Sequence, residues 1–329
     1  MRHELQQAAI SGYRRRPTPV THVRGSLCAV AALLLSGCVT SQTTPYFADE
    51  SGFYTGEPVV LHATEMPVSS AEEARQRARS ALAKRDVDLA LYFHVQAANM
   101  DPENPESFYV IGAIHAELNN PEFAVRAYRR VIELEPDSAL AHQGLGLALF
   151  EMRDFDLAAV HLQSAADLDP TLWRPYNTLG IIADRSERYD DAIAFYSEAI
   201  KIQPRMASIR NNRGYSRYLA GDFDAARLDF LEAIEIDAEY DRAWRNLGLV
   251  FARDQDFERA LLAMANAIPR HIALNDIGYV AMLDGNFGAA RKFFEDAILE
   301  SPRHYQVAQD NLAELNRRSA PRPTLFATE

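Results

Sequence analysis

The sequence predicts an all-α solenoid of about seven helix-turn-helix repeats, closed by a C-terminal capping helix. Three columns of small residues carry that expectation. Gly112, Gly146, Gly180, Gly214 and Gly248 stand 34 residues apart, with Ala78 in register before them. Ala90, Ala124, Ala158, Ala192, Ala226 and Ala260 keep the same interval. So do Ala97, Val131, Ala165, Ala199, Ala233 and Ala267. A period of this length held over six units is the mark of a stacked repeat, because one unit cannot bury its apolar face alone.

Taken in chain order, residues 1–37 come before the repeats. Arg14, Arg15, Arg16 and Arg24 precede an apolar run of nine residues, Leu27 to Leu35, and Leu35, Ser36, Gly37 and Cys38 follow. A basic region, a short apolar stretch and small residues at a cleavage point describe a secretory signal peptide. The run is well short of the ~20 residues that span a bilayer. With the cysteine directly after Leu-Ser-Gly, the segment resembles a bacterial lipoprotein signal. That resemblance implies lipidation of Cys38 as the first mature residue. The alternative is an ordinary secreted protein with an accidental cysteine. The basic region is long for such a signal, which leaves a later translation start at Val20 or Val23 open.

Residues 38–70 mix Ser, Thr, Pro and Gly with acidic residues and lack helical periodicity, so they read as a flexible tether with a reach of ~30 Å. Tyr46, Phe47, Phe53, Tyr54 and Val59 to Leu61 make it stickier than a plain spacer. Residues 71–304 hold the repeats. In the fourth unit Tyr176, Leu179, Ile182 and Ala183 fall at helical spacing, followed by Ala192, Tyr196, Ala199 and Ile200. Turns such as Arg153-Asp154-Phe155 and Gly221-Asp222-Phe223 divide the two helices. Small residues are expected where the helices cross, with Tyr128, Leu162, Tyr196, Phe230 and Phe294 filling the space between crossings. Pro102, Pro136, Pro170 and Pro204 end the units, with Ala238 substituting once. The next glycine, Gly278, comes only 30 residues after Gly248, so the sixth unit is expected to have a shortened second helix near Ile268-Pro269. Residues 305–318 read as the capping helix and 319–329 as a loose tail.

The pattern resembles the tetratricopeptide repeat, which implies a right-handed superhelix whose concave face is lined by the first helix of each unit. The first unit departs from it, with Ala74 and Ala78 in place of an early aromatic and glycine, as suits a terminal cap.

Composition narrows the chemistry. The chain has 329 residues, 48% hydrophobic and 24% charged, with 34 basic and 46 acidic residues for a net charge of −12. Without residues 1–37, 29 basic and 45 acidic residues remain, a charge of −16. Such a body repels phosphate backbones and anionic headgroups, so no nucleic acid is expected as a partner, and a lipid anchor alone would hold the protein to a membrane. Its two cysteines, Cys28 and Cys38, both precede the repeats and supply no disulfide framework. Gly144-Leu-Gly146 lies inside a helix and follows no strand, so it is packing rather than a phosphate loop. His94, His115, His142, His161, His271 and His304 lack ligand spacing, although His115 and His142 fall on facing helices. No nucleophile has a recognisable context. The expectation is a protein without catalytic residues, metal or cofactor.

Helical offset from each glycine places Arg174, Asn177, Ile181, Asn211, Asn212, Tyr215, Tyr218, Arg242, Arg245 and Leu249 in the expected groove. Asparagine amides suit a peptide backbone, arginine forks suit carboxylates, and tyrosine and arginine are enriched at binding hot spots. Only Asn212 and Arg242 match the Lys/Asn clamp by which some repeat proteins grip a C-terminal carboxylate. Ordinary solvated polar residues, the convex face and the irregular junction of the sixth and seventh units remain alternatives.

A lipid-anchored array of this kind resembles three bacterial outer-membrane groups: TadD-type lipoproteins of the tight-adherence (Flp) pilus, type IV pilotins, and NlpI-type adaptors of peptidoglycan hydrolases and proteases. Ala273 to Tyr279 after the short unit is most similar to the first. That resemblance implies a non-enzymatic scaffold, anchored in the outer membrane and facing the periplasm, that binds a pilus component or secretin and assists its assembly. The alternative is a periplasmic adaptor that docks and regulates peptidoglycan hydrolases or proteases. Because Val39 rather than aspartate follows Cys38, the outer membrane is expected.

Overall fold

The structure is a computed structural model and describes residues 67–319. The lipobox Leu35, Ser36, Gly37, the lipidation site Cys38, most of the tether and the final tail lie outside the described residues. Among the described residues there are 15 helices and no strand.

The first helices of the seven pairs are α1 (Ala71–Ala83), α3 (Pro105–Glu117), α5 (Ala139–Glu151), α7 (Trp173–Arg185), α9 (Ala207–Ala220), α11 (Asp241–Arg253) and α13 (Arg270–Leu283). Their partners are α2 (Val87–Met100), α4 (Pro121–Leu134), α6 (Phe155–Leu168), α8 (Tyr189–Ile202), α10 (Phe223–Ile236), α12 (Phe257–Met264) and α14 (Phe287–Glu300). A last helix, α15 (Gln306–Ser319), packs on α14 and α13.

Each turn inside a pair is built alike. One residue takes a left-handed conformation immediately before the cap of the second helix: Arg85, Asn119, Arg153, Glu187, Gly221, Gln255 and Gly285, with φ between 57° and 90°. The cap follows, and at Asp86, Asp154, Asp222, Asp256 and Asn286 its side chain accepts from the backbone N–H three residues on. Each such cap contributes ~1 kcal/mol.

The glycine column has a more specific role than small-residue crossing. A Cβ placed on Gly112, Gly146, Gly180, Gly214, Gly248 or Gly278 would stand 2.5–2.9 Å from the side chain 16 residues later: Tyr128, Leu162, Tyr196, Phe230, Met264 or Phe294. The bulky residues expected between the crossings therefore sit on the glycines themselves. In the first unit Ala78 replaces the glycine and His94 the large side chain, and both are buried. The alanine columns are fully buried as well, except Ala267. Helix α12 stops at Met264 after 8 residues, which leaves Ala267 in a turn and lets α11 and α13 meet more extensively than other successive first helices do.

Candidate functional site

The strip where the expected groove residues lie is formed by α7, α9, α11 and α13. Asparagines join neighbouring first helices. Asn212 Nδ2 donates to Asn177 Oδ1 at 3.3 Å, Asn246 to Asn211 at 2.9 Å, and Asn311 of α15 to Asn275 at 2.9 Å. The acceptor stands three residues before the glycine of its own unit in all three cases. Asn177, Asn211 and Asn212 are thus partly committed to holding the stack together, and Asn211 is buried.

The aromatic and charged residues form a second layer. Tyr215 and Tyr218 stack with centroids 6.3 Å apart. Tyr218 is buried, and its phenol oxygen accepts from Arg253 Nε at 3.3 Å while Arg253 pairs with Asp284, the C-cap of α13. Arg245 pairs with Asp276 of α13 through two nitrogens, at 2.7 and 2.8 Å. Asp184, at the end of α7, accepts from the hydroxyls of Tyr196 and Ser216, at 2.9 and 2.7 Å.

Burial sets the electrostatics of this strip. It pushes the Asp184 carboxyl up to about 6, against the two hydroxyl hydrogen bonds that favour its ionised form. It raises Asp276 and Asp284 too, although Arg245 and Arg253 pull in the opposite direction. The Tyr215 phenol is raised by burial and then by Tyr218 and Asp184, and Tyr305 is pushed up to about 12. All these tyrosines therefore keep their hydroxyl proton at neutral pH.

The remaining expected residues divide by exposure. Ile181 packs beside Tyr196 and Ile209, and Leu249 beside Met264 and Ile277, so both serve the core as well as the surface. Arg174 and Arg242 are exposed, Arg174 lying 5.5 Å from the ring of Trp173. The structure thus brings Asn177, Asn212, Tyr215 and Arg245 together on one strip, withdraws Asn211 and Tyr218 into it, and leaves Arg174 and Arg242 at its edge. Sequence reasoning missed Asp184, Arg253, Asp276, Asp284 and the asparagine partners Asn246, Asn275 and Asn311. The asparagines recur in the repeat register and were recoverable there. The carboxylates become visible only when neighbouring units are stacked.

The histidines also pair differently. His115 stacks on Phe123 at 5.0 Å, and His142 meets His161 of its own unit instead. No group of three or more metal-ligating side chains occurs among the described residues.

A family model for the tetratricopeptide repeat matches residues 109–172 and 177–241. Tetratricopeptide repeat protein 37 of Xenopus laevis is 35% identical over 71 residues, which is 22% of this chain and 4% of that protein. A crystal structure of a tetratricopeptide repeat protein from Parabacteroides merdae superposes with a TM-score of 0.54 at 13% identity, covering 75% of this chain and 99% of the other. The APC/C hetero-tetramer Cut9-Hcn1 gives a TM-score of 0.52 at 17% identity, covering 78% of this chain and 51% of the other. These last two likenesses concern the fold. Residues 109–172 and 177–241 thus match the tetratricopeptide repeat, and the described helix pairs stack as a solenoid of the kind those folds show.

Proposed function

We propose that this chain is a non-enzymatic scaffold that holds a protein partner along the α7–α9–α11–α13 strip, while a lipid on Cys38 tethers it to the outer membrane on the periplasmic side. Its task in this reading is to assist assembly of a tight-adherence pilus or of its secretin. The observation that supports the binding surface is the strip itself: aromatic hydroxyls, amides and guanidiniums from four successive first helices, held in place by inter-repeat hydrogen bonds and ion pairs. Side chains locked this way lose little entropy when a partner docks. The anchor and the pilus role rest on Leu35 to Cys38 and on the resemblance of Ala273 to Tyr279.

In-cell photo-crosslinking tests this reading. A photoreactive amino acid replaces the exposed Arg242 at the edge of the strip, and a second replaces Leu228, 60% exposed on α10. Capture of a secretin or pilus subunit from position 242 supports the proposal. A peptidoglycan hydrolase or protease captured there replaces the pilus role by that of an adaptor. Capture from position 228 alone overturns the strip as the binding surface.

A further inference from the structure

We propose that His142 of α5 and His161 of α6 form a two-imidazole site for a divalent late transition-metal ion, of which zinc and copper are the representatives, with water completing the coordination. The Nδ1 atoms of the two rings lie 3.1 Å apart. Two imidazole nitrogens bound at ~2.1 Å to one ion stand ~3.4 Å apart at a tetrahedral angle and ~3.0 Å apart at a right angle. The observed separation falls between those two values, so chelation requires the two rings to turn toward a shared ion but not to move apart.

The hydrogen bonding explains why these nitrogens suit a metal. His142 Nε2 lies 3.0 Å from the carbonyl oxygen of Pro136. A carbonyl only accepts, so Nε2 carries the proton and the neutral ring keeps a bare lone pair on Nδ1. The equivalent place in two other repeats supports this assignment. Arg210 donates to the Pro204 carbonyl at 3.0 Å and Trp244 to that of Ala238 at 2.8 Å, and neither side chain can accept there. A ligating histidine whose other nitrogen donates to a backbone carbonyl is the usual arrangement around protein-bound metals.

Without metal, the His161 Nδ1–H must donate to the His142 lone pair. On metal binding that proton moves to Nε2 of the half-buried His161 ring, so both Nδ1 atoms ligate and no proton is lost overall. Burial, His142 and Arg129 all disfavour the charged form of the His161 ring. The cationic Arg129 of α4 also opposes a dication at this position, so the site is weaker than it would be without it. In the sequence the two histidines stand 19 positions apart, and only the pairing of α5 with α6 brings them together.

Zinc titration of the chelator-treated full-length protein, followed by calorimetry, tests the site. One equivalent of Zn2+ should bind saturably, and that equivalent should disappear in the double variant His142→Gln, His161→Gln. His161→Gln alone should weaken binding at least tenfold, Arg129→Gln should tighten it severalfold, and Mg2+ should not compete. Electron paramagnetic resonance of the Cu2+ form should show two nitrogen ligands, and one in His161→Gln. Zinc stoichiometry and affinity unchanged in the double variant, while both proteins keep the same helical circular dichroism, would overturn the proposal. So would a single nitrogen ligand on copper in the unsubstituted protein.

Discussion

Replacing Gly180 with alanine adds one methyl group where the repeat has no room for it. The new Cβ would lie 2.6 Å from Tyr196 Cε1 and 2.8 Å from Cζ, whereas unstrained carbon contacts fall at ~3.5–4.0 Å. The ring would have to retreat by roughly 1 Å, but Tyr196 is 1% exposed and its hydroxyl is bonded to Asp184. Overpacking costs ~1–3 kcal/mol, and a ring held by burial and by its hydroxyl bond puts this site at ~2–3 kcal/mol. Alanine recovers ~1 kcal/mol of helix propensity over glycine. The overpacking term wins, for a net loss of about 1–2 kcal/mol. At ~2–4 °C per kcal/mol for a body of this size, Tm should fall by roughly 2–8 °C. Gly288 in α14 is the control, since a Cβ there meets nothing within 4 Å. Gly288→Ala should stabilise by up to ~1 kcal/mol. The assay is thermal unfolding followed by circular dichroism, with both variants and the parent run side by side. If Gly180→Ala matches or exceeds the parent while Gly288→Ala is stabilised as expected, the glycine-on-ring account of the repeat is wrong.

Other consequences follow from single residues. His94 is 1% exposed with no hydrogen-bond partner on either ring nitrogen, and burial pushes its imidazolium down to about 4. The unfolded chain then binds the extra proton between about pH 6.5 and 4, so stability is lost as pH falls through that window, by roughly 3 kcal/mol at its acid end. His94→Leu should flatten that part of the pH profile in urea titrations, and an unchanged profile would refute the assignment. Asp184 has the opposite sign: its raised carboxyl gives a contribution that is full below about pH 4 and is lost as pH rises from there through about 6. Asp184→Asn should therefore gain on the parent as pH rises from about 4 to 8, and be more stable than it at pH 8. Arg153 occupies the left-handed turn position with φ 65°, where glycine carries no Cβ strain. Arg153→Gly should leave stability unchanged or raise it by up to ~1 kcal/mol, and a large loss in chemical unfolding would contradict the shared turn geometry. Cys38→Ala should release the protein from the membrane fraction without altering its melting temperature, and continued membrane association would remove the lipid anchor from the proposal.

How far the sequence reads ahead of the structure depends on the range of the interaction involved. The 34-residue register already marks the helix pairs, the turns at Asp154 and Asp222, and the shortened sixth unit, because propensity, capping and periodicity act within a single unit. Stacking decided the rest. Gly180 and Tyr196 sit in separate columns, and only the crossing of α7 and α8 presses one against the other. Tyr218 and Asn211 read as surface side chains by helical offset. They are buried because the next unit, through Arg253 and Asn246, closes over them. Asp276 acquires its meaning from Arg245, 31 residues away, and His142 from His161. Contacts that successive units make alike leave a period, as the glycine columns and the asparagine pairs do, whereas pairs such as Arg245 with Asp276 and His142 with His161 arise once each and leave none. The sequence by itself therefore determined the scaffold, and the tertiary structure decided which of its side chains are committed to holding it together.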